Sequence, residues 1–197
     1  EDAPSWAESS RIVWQVRSLR RVYIALPFVA IAIAGLLTLG GLYYDEVFDL
    51  DERARGFTAA GLEGAAQLVG LMFGIPLTSR LMAKGPGNVV RFLGTVSFGI
   101  AGAWILFALA PTLPLAIAAN AVLSASFFLL IPGIFVTLSL AVPAKVRAFG
   151  YAVGTLFILP GLLLLPVIGW LADEHGIRTG LVLASPVFVI GGLILAS

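Results

Sequence analysis

Six apolar runs set the limits on what this chain can become. They cover residues 22–44, 57–77, 89–110, 115–142, 149–171 and 177–196. Each is close to the roughly 20 residues needed to cross a hydrocarbon core as a helix. The expected fold is an all-α membrane protein of six transmembrane helices, residues 22–197, preceded by a polar and basic segment, residues 1–21. Composition agrees, with 59% hydrophobic and 12% charged residues, against about 45–50% and about 25% in soluble domains. A net charge of +1 leaves no basic surplus for nucleic acid. With no cysteine and one histidine, disulfides, cysteine-bound metals and histidine clusters are excluded. No metal or other cofactor is expected, and His175 reads as part of a solvated loop. The acids of loop 45–55 read as solvated too, able to draw cations to the mouth. The chain opens on Glu1 without an initiator Met and closes on an apolar run, so the expectation is a piece of a longer protein.

Loop charges give the orientation. Arg11, Arg17, Arg20 and Arg21 precede the first run, Arg80, Lys84 and Arg91 lie between the second and third, and Lys145 and Arg147 between the fourth and fifth. Six alternating helices put all nine on one side and leave Arg53, Arg55 and Arg178 on the other. That bias predicts a cytoplasmic N-terminus in a multi-pass membrane protein. In residues 1–21, Ser5 and Glu8 have capping-box spacing, and Ile12, Val13, Val16 and Leu19 form an apolar stripe. The segment reads as a cytoplasmic amphipathic helix with Trp6 and Trp14 as headgroup anchors, or equally as an ordinary linker helix.

The third and sixth runs hold almost no hydrogen-bonding side chains beyond Thr95, Ser97 and Ser185, so both are expected to face lipid. The other four carry the polar residues, the prolines and most of the small-residue spacing. Two plain helices, each the third of a triplet, suggest two three-helix units, a nested repeat known in transporters.

The second run carries a carboxylate, Glu63, with Gln67 one turn later. Gly56, Ala60 and Gly64 repeat at four-residue spacing, as do Ala66, Gly70 and Gly74, a spacing that lets helix backbones approach closely. An acid at membrane depth is costly and usually functional, and desolvation disfavours its charged form. Glu63 is a candidate for proton coupling, gating or pairing with a cationic substrate. The alternatives are a packing bond to a neighbouring helix or a solvated place near the outer mouth. Asn120 and Ser124, one turn apart in the fourth run, either contact substrate or join helices. Thr38 and Tyr43 are further cavity candidates, although Tyr43 and Tyr44 read first as interfacial aromatics. Phe127, Phe128 and Phe135 either wall the cavity or pack. Pro132 with Gly133, Pro160 with Gly161, and Pro166 should bend the fourth and fifth helices, as hinges or as static kinks. No convergent catalytic residues are visible, so an enzyme is not expected.

The segment GIPLTSRLMAKGPGNVVR, residues 74–91, resembles the cytoplasmic loop motif of the major facilitator superfamily, through Gly74, Arg80, Lys84 and Arg91. It departs from the motif at Thr78-Ser79, where that family places an acid. The fifth run, with Gly154, Pro160, Gly161, Pro166 and Gly169 and the ending GWLADEHG, is similar to the glycine–proline helix of each half in that family. Nearly the whole chain resembles the C-terminal six-helix half of such a transporter. The resemblance implies an N-terminal six-helix half as partner, a small-molecule substrate bound between the halves, and alternating access. The first and fourth helices would line the cavity, with the second and fifth beside them. It favours efflux over uptake, driven by an ion gradient, with protons through Glu63. The stretch LYYDEVFDLDERARG is also similar to actinobacterial permeases fused to an ATP-binding cassette domain. That similarity implies an alternative, a non-transporting or regulatory membrane module beside such a domain. The chain itself has no phosphate-binding Gly-x-x-x-x-Gly-Lys-Ser/Thr loop.

Overall fold

The computed structural model describes residues 5–197, and short polar or glycine segments set where its helices begin and end. The Ser5 hydroxyl accepts the Glu8 N–H at 3.3 Å and starts α1 (Trp6–Gln15). Val16 leaves helical geometry and separates α1 from α2 (Arg17–Phe48). Asp49 stops α2 in the left-handed region at φ 51°, which Asp tolerates better than most residues. The Asp51 carboxylate accepts the Ala54 N–H at 2.7 Å and starts α3 (Glu52–Phe57). A π-helical segment (Thr58–Glu63) joins α3 to α4 (Gly64–Ala83). Gly85, at φ 122°, and Pro86 turn the chain into α5 (Pro86–Ala108), followed by α6 (Leu113–Leu140). A single 3-10 turn (Ala144–Val146) leads into α7 (Arg147–His175), and Gly176, at φ 84°, separates it from α8 (Ile177–Ala196). A side chain at either glycine would be strained, because both backbones sit at positive φ.

No strand occurs among the described residues. Six helices are long and apolar enough to cross a membrane: Arg17–Phe48, Glu52–Ala83, Pro86–Ala108, Leu113–Leu140, Ala144–His175 and Ile177–Ala196. Several outrun their apolar runs. Arg17, Arg20 and Arg21, expected in the N-terminal segment, belong to the first spanning helix. The fourth ends two residues before its run does. Apolarity marks only the part of a helix that suits lipid, whereas backbone hydrogen bonding continues into polar flanks until a cap intervenes.

Glycines select which faces meet. A Cβ on Gly70 would overlap the carbonyl of Ala125, and one on Gly74 would sit 3.0 Å from the Leu129 oxygen, so α4 lies parallel against α6. A Cβ on Gly161 would overlap the carbonyl of Pro27, and one on Gly154 would come within 3.3 Å of the Tyr23 ring, so α7 lies parallel against α2. Gly94 and Gly192 bring α5 and α8 together in antiparallel fashion. The remaining large contacts join α5 to α6 and α2 to α8. Number the spanning helices one to six, and exchange one with four, two with five, and three with six. The pair two–four then becomes five–one, three–four becomes six–one, and three–six maps onto itself.

The third and sixth helices, expected to face lipid, are more buried within the described bundle than the second and fifth. Of their most apolar stretches, 50% and 44% are buried, against 11% and 17% for the second and fifth helices. Helices need no polar side chains to associate in lipid, since small residues and close packing suffice. Trp104 of α5 is buried in this seam, and its indole N–H donates to the Leu181 carbonyl of α8 at 2.7 Å. At the α5 C-terminus, the Arg178 guanidinium donates to the carbonyls of Ala108 and Ala110 at 3.3 and 2.9 Å. The cations of the 74–91 loop, Arg80, Lys84 and Arg91, are exposed instead.

Tyr43 and Tyr44 are buried inside the bundle and do not form an exposed aromatic belt. The Tyr43 hydroxyl donates to the Phe107 carbonyl at 2.7 Å, tying α2 to α5. Tyr43→Phe keeps the ring and removes this bond, so a loss of about 1 kcal/mol is expected. Thermal unfolding in detergent checks it, and an unchanged midpoint would mean the bond contributes nothing.

Candidate functional site

Two features stand out, a polar cluster and an apolar cavity, and they occupy different halves of the bundle. The cluster begins with Glu63, which ends the π-helical segment. A π turn displaces the side chains that follow it, and such turns often occur at functional sites. The Glu63 side chain is partly buried against α6, where the Asn120 amide donates to its Oε1 at 2.7 Å. The same amide nitrogen donates to the Tyr44 hydroxyl at 3.1 Å. Three spanning helices therefore meet at one amide. Asn120 is 1% exposed and Ser124 2% exposed. Asn120 Oδ1 and Ser124 Oγ have no hydrogen-bond partner among the described residues. Nearby in sequence, Arg55 pairs with Asp45 at 2.8 Å, so two residues of the acidic 45–55 loop region are bridged and not merely solvated.

This geometry favours one side of an open question. Asn120 joins helices and touches the acid, and it does not line the cavity. Removing the amide leaves a half-buried carboxyl without its donor from the neighbouring helix. Asn120→Leu is therefore expected to cost about 1–3 kcal/mol in thermal unfolding. Ser124→Ala removes a buried hydroxyl that makes no bond, so it should be neutral or slightly stabilising. Equal losses in the two variants would contradict the bonding described.

The cavity has a volume of about 330 Å³, within the range of small-molecule pockets. It lies between α2, α6 and α7. Ala30 and Ala34 wall it from α2, Ile134 and Phe135 from α6, and Tyr151 and Thr155 from α7. The Tyr151 hydroxyl donates to the Phe135 carbonyl at 3.2 Å, and the Thr155 hydroxyl to the Tyr151 carbonyl at 3.1 Å. Among the described residues, no carboxylate, amine or guanidinium lines it. Asn120 is separated from Ile131, the first cavity residue of α6, by eleven residues, or about 16 Å of helix at 1.5 Å per residue.

Most residues expected to line a substrate cavity lie elsewhere. Tyr43 is buried and bonded to Phe107. Thr38 bonds back to the Ala34 carbonyl at 2.8 Å and lies outside the cavity. Gln67 is partly buried one turn beyond Glu63, outside both features. Phe127 packs on Phe188, and Phe135 alone of the three phenylalanines reaches the cavity. Pro132, Pro160 and Pro166 lie within continuous helices. Gly133 and Gly161 have a packing role, against Leu93 and Pro27. Thr78, standing where an acid belongs in the resembled motif, is fully buried and its hydroxyl has no partner among the described residues.

Four participants had little sequence signal. Tyr44 looked interfacial, because it closes an apolar run. Tyr151 and Thr155 share a helix face at i, i+4, the one periodicity that could have marked a cavity wall. Pro27 sits in the first apolar run, whereas the expected bends fall in the fourth and fifth. No protein-family model and no curated protein sequence matches the chain.

Proposed function

We propose that this chain is one six-helix half of a major-facilitator-type secondary transporter. It moves a small organic solute by alternating access, with export favoured, across a bacterial plasma membrane. An N-terminal six-helix half completes the path, the N-terminus is cytoplasmic, and α1 lies along the cytoplasmic surface. The observation that carries this reading is the packing order, in which exchanging the first three helices with the last three reproduces every major helix pair. Parallel packing of α4 on α6 and of α7 on α2 requires the two triplets to run in opposite senses, the inverted-repeat arrangement of alternating-access carriers. The second and fifth helices, the least buried here, supply the surface against the other half. Glu63 carries the coupling proton, since it is the acid bonded across the two triplets, to Asn120, whose amide also donates to Tyr44.

The absence of cysteine makes introduced cysteines unique within this half. In the full-length protein, Thr155→Cys reports the cavity and Leu62→Cys the opposite half of the bundle. A proton gradient of either sign is imposed on proteoliposomes, and labelling by an impermeant maleimide is followed. Alternating access predicts that labelling rises at one position as it falls at the other. Parallel changes at both positions, or none, would refute the reading.

A further inference from the structure

We propose that the cavity between α2, α6 and α7 binds a neutral, largely apolar solute carrying no more than one or two hydrogen-bond donors, and that this solute is the cargo. The inference rests on the transporter reading above. It follows from what the walls offer a ligand. An ion entering a site without a counter-charge leaves its hydration uncompensated, and no charged side chain lines this one. The two hydroxyls present already donate, Tyr151 to Phe135 and Thr155 to Tyr151. What they have left is lone pairs, so each can accept an N–H or O–H from a ligand but has no proton to give. Anions and multiply polar molecules therefore find nothing to bind. An aromatic or branched aliphatic body fits the remaining surface of Ala30, Ala34, Ile134 and Phe135.

The hollow is also built into the helices. Each of the three carries a proline within its lining segment: Pro27 after Leu26, Pro132 after Ile131, and Pro160 between Ile158 and Leu162. Proline removes a helical hydrogen bond and relieves the rigidity of the turn around it. Three such positions beside the cavity let it change shape as the bundle rocks. Cargo is thereby separated from the Glu63 cluster by about three turns of α6, counted at about 3.6 residues per turn. The acid can exchange its proton without touching the solute.

The test uses the full-length protein in lipid nanodiscs and a trifluoromethyl-diazirinyl benzyl alcohol, a neutral photolabel with one donor. Its benzylammonium and benzoate counterparts serve as competitors. Saturable labelling on α2, α6 and α7, insensitive to both charged competitors, is the expected result. Thr155→Trp should weaken it by about tenfold or more, a loss equal to about 1.4 kcal/mol. Ala34→Trp fills the same space from α2 and replaces it if Thr155→Trp does not fold. Labelling that rises linearly with probe, or ignores both tryptophans, would mean lipid chains or the other half cover the groove, and would overturn the proposal. Equal competition by the ammonium or the carboxylate would overturn it too. The two readings fail separately. Saturable neutral binding without gradient-driven flux sinks the transporter reading and the cargo role but leaves the neutral site, whereas flux of a charged solute without neutral binding sinks this proposal alone.

Discussion

Gly161→Ala is expected to unfold most of the protein, although it adds a single methyl group. The new Cβ would overlap the Pro27 carbonyl oxygen and lie 2.8 Å from its carbon. Both belong to backbone, so no side chain can turn aside. The helices would have to separate along α2 and α7, one of the main contacts of the chain. Overpacking a core costs about 1–3 kcal/mol where side chains can adjust, and here they cannot. Total stability is typically only about 5–15 kcal/mol. Gly70→Ala should behave alike, because its Cβ would overlap the Ala125 carbonyl in the counterpart pair α4–α6. Gly64 and Gly169 meet nothing within 4 Å. Alanine there should be neutral or stabilising, by up to about 1 kcal/mol from helix propensity. Thermal unfolding and monodisperse yield in detergent separate the two classes. Indistinguishable midpoints across all four variants would contradict the packing described.

Glu63→Gln is expected to leave folding intact and to uncouple transport. Glutamine keeps the length of the side chain and its Oε1, so Asn120 can still donate across the helix interface as it does at 2.7 Å. What is lost is the exchangeable proton. If that proton links the gradient to the conformational change, gradient-dependent accumulation should fall by about 5–150-fold, the range for a coupling of about 1–3 kcal/mol. Asn120→Leu supplies the contrast, since it lowers stability while the acid remains. A Glu63→Gln protein that accumulates solute at the normal level would reduce Glu63 to a structural tie between α4 and α6.

The six helices were legible because length and apolarity leave a chain in lipid few options. Their ends were partly legible. Ser5 caps α1, as its spacing to Glu8 predicts, and Gly85-Pro86 and Gly176 break the helices where a loop was expected. Which faces meet was not legible. Gly56, Ala60 and Gly64 have the same spacing as Ala66, Gly70 and Gly74, yet Gly70 and Gly74 touch α6, while Gly56 and Gly64 face open space. Spacing shows that a close approach is possible, and only the rotation of the helix about its axis decides whether it happens. The same limit separated Glu63 from Asn120 in the sequence reading. They are fifty-seven positions apart, and their bond depends on α4 and α6 running parallel. The cavity was hidden for a different reason. Its walls are the commonest membrane side chains, and polarity, the usual guide to a binding site, points away from it toward the Glu63 cluster.

On the proposed reading, a proton gradient drives solute through this bundle. This is tested most directly by reconstituting the full-length protein in proteoliposomes and following flux of the neutral benzyl alcohol probe with and without an imposed pH difference. Flux should follow the sign of the gradient, stop with a protonophore, and be lost in Glu63→Gln while Gly169→Ala retains it. Gradient-independent flux equal to that of protein-free vesicles, with the protein folded and correctly inserted, would contradict the reading.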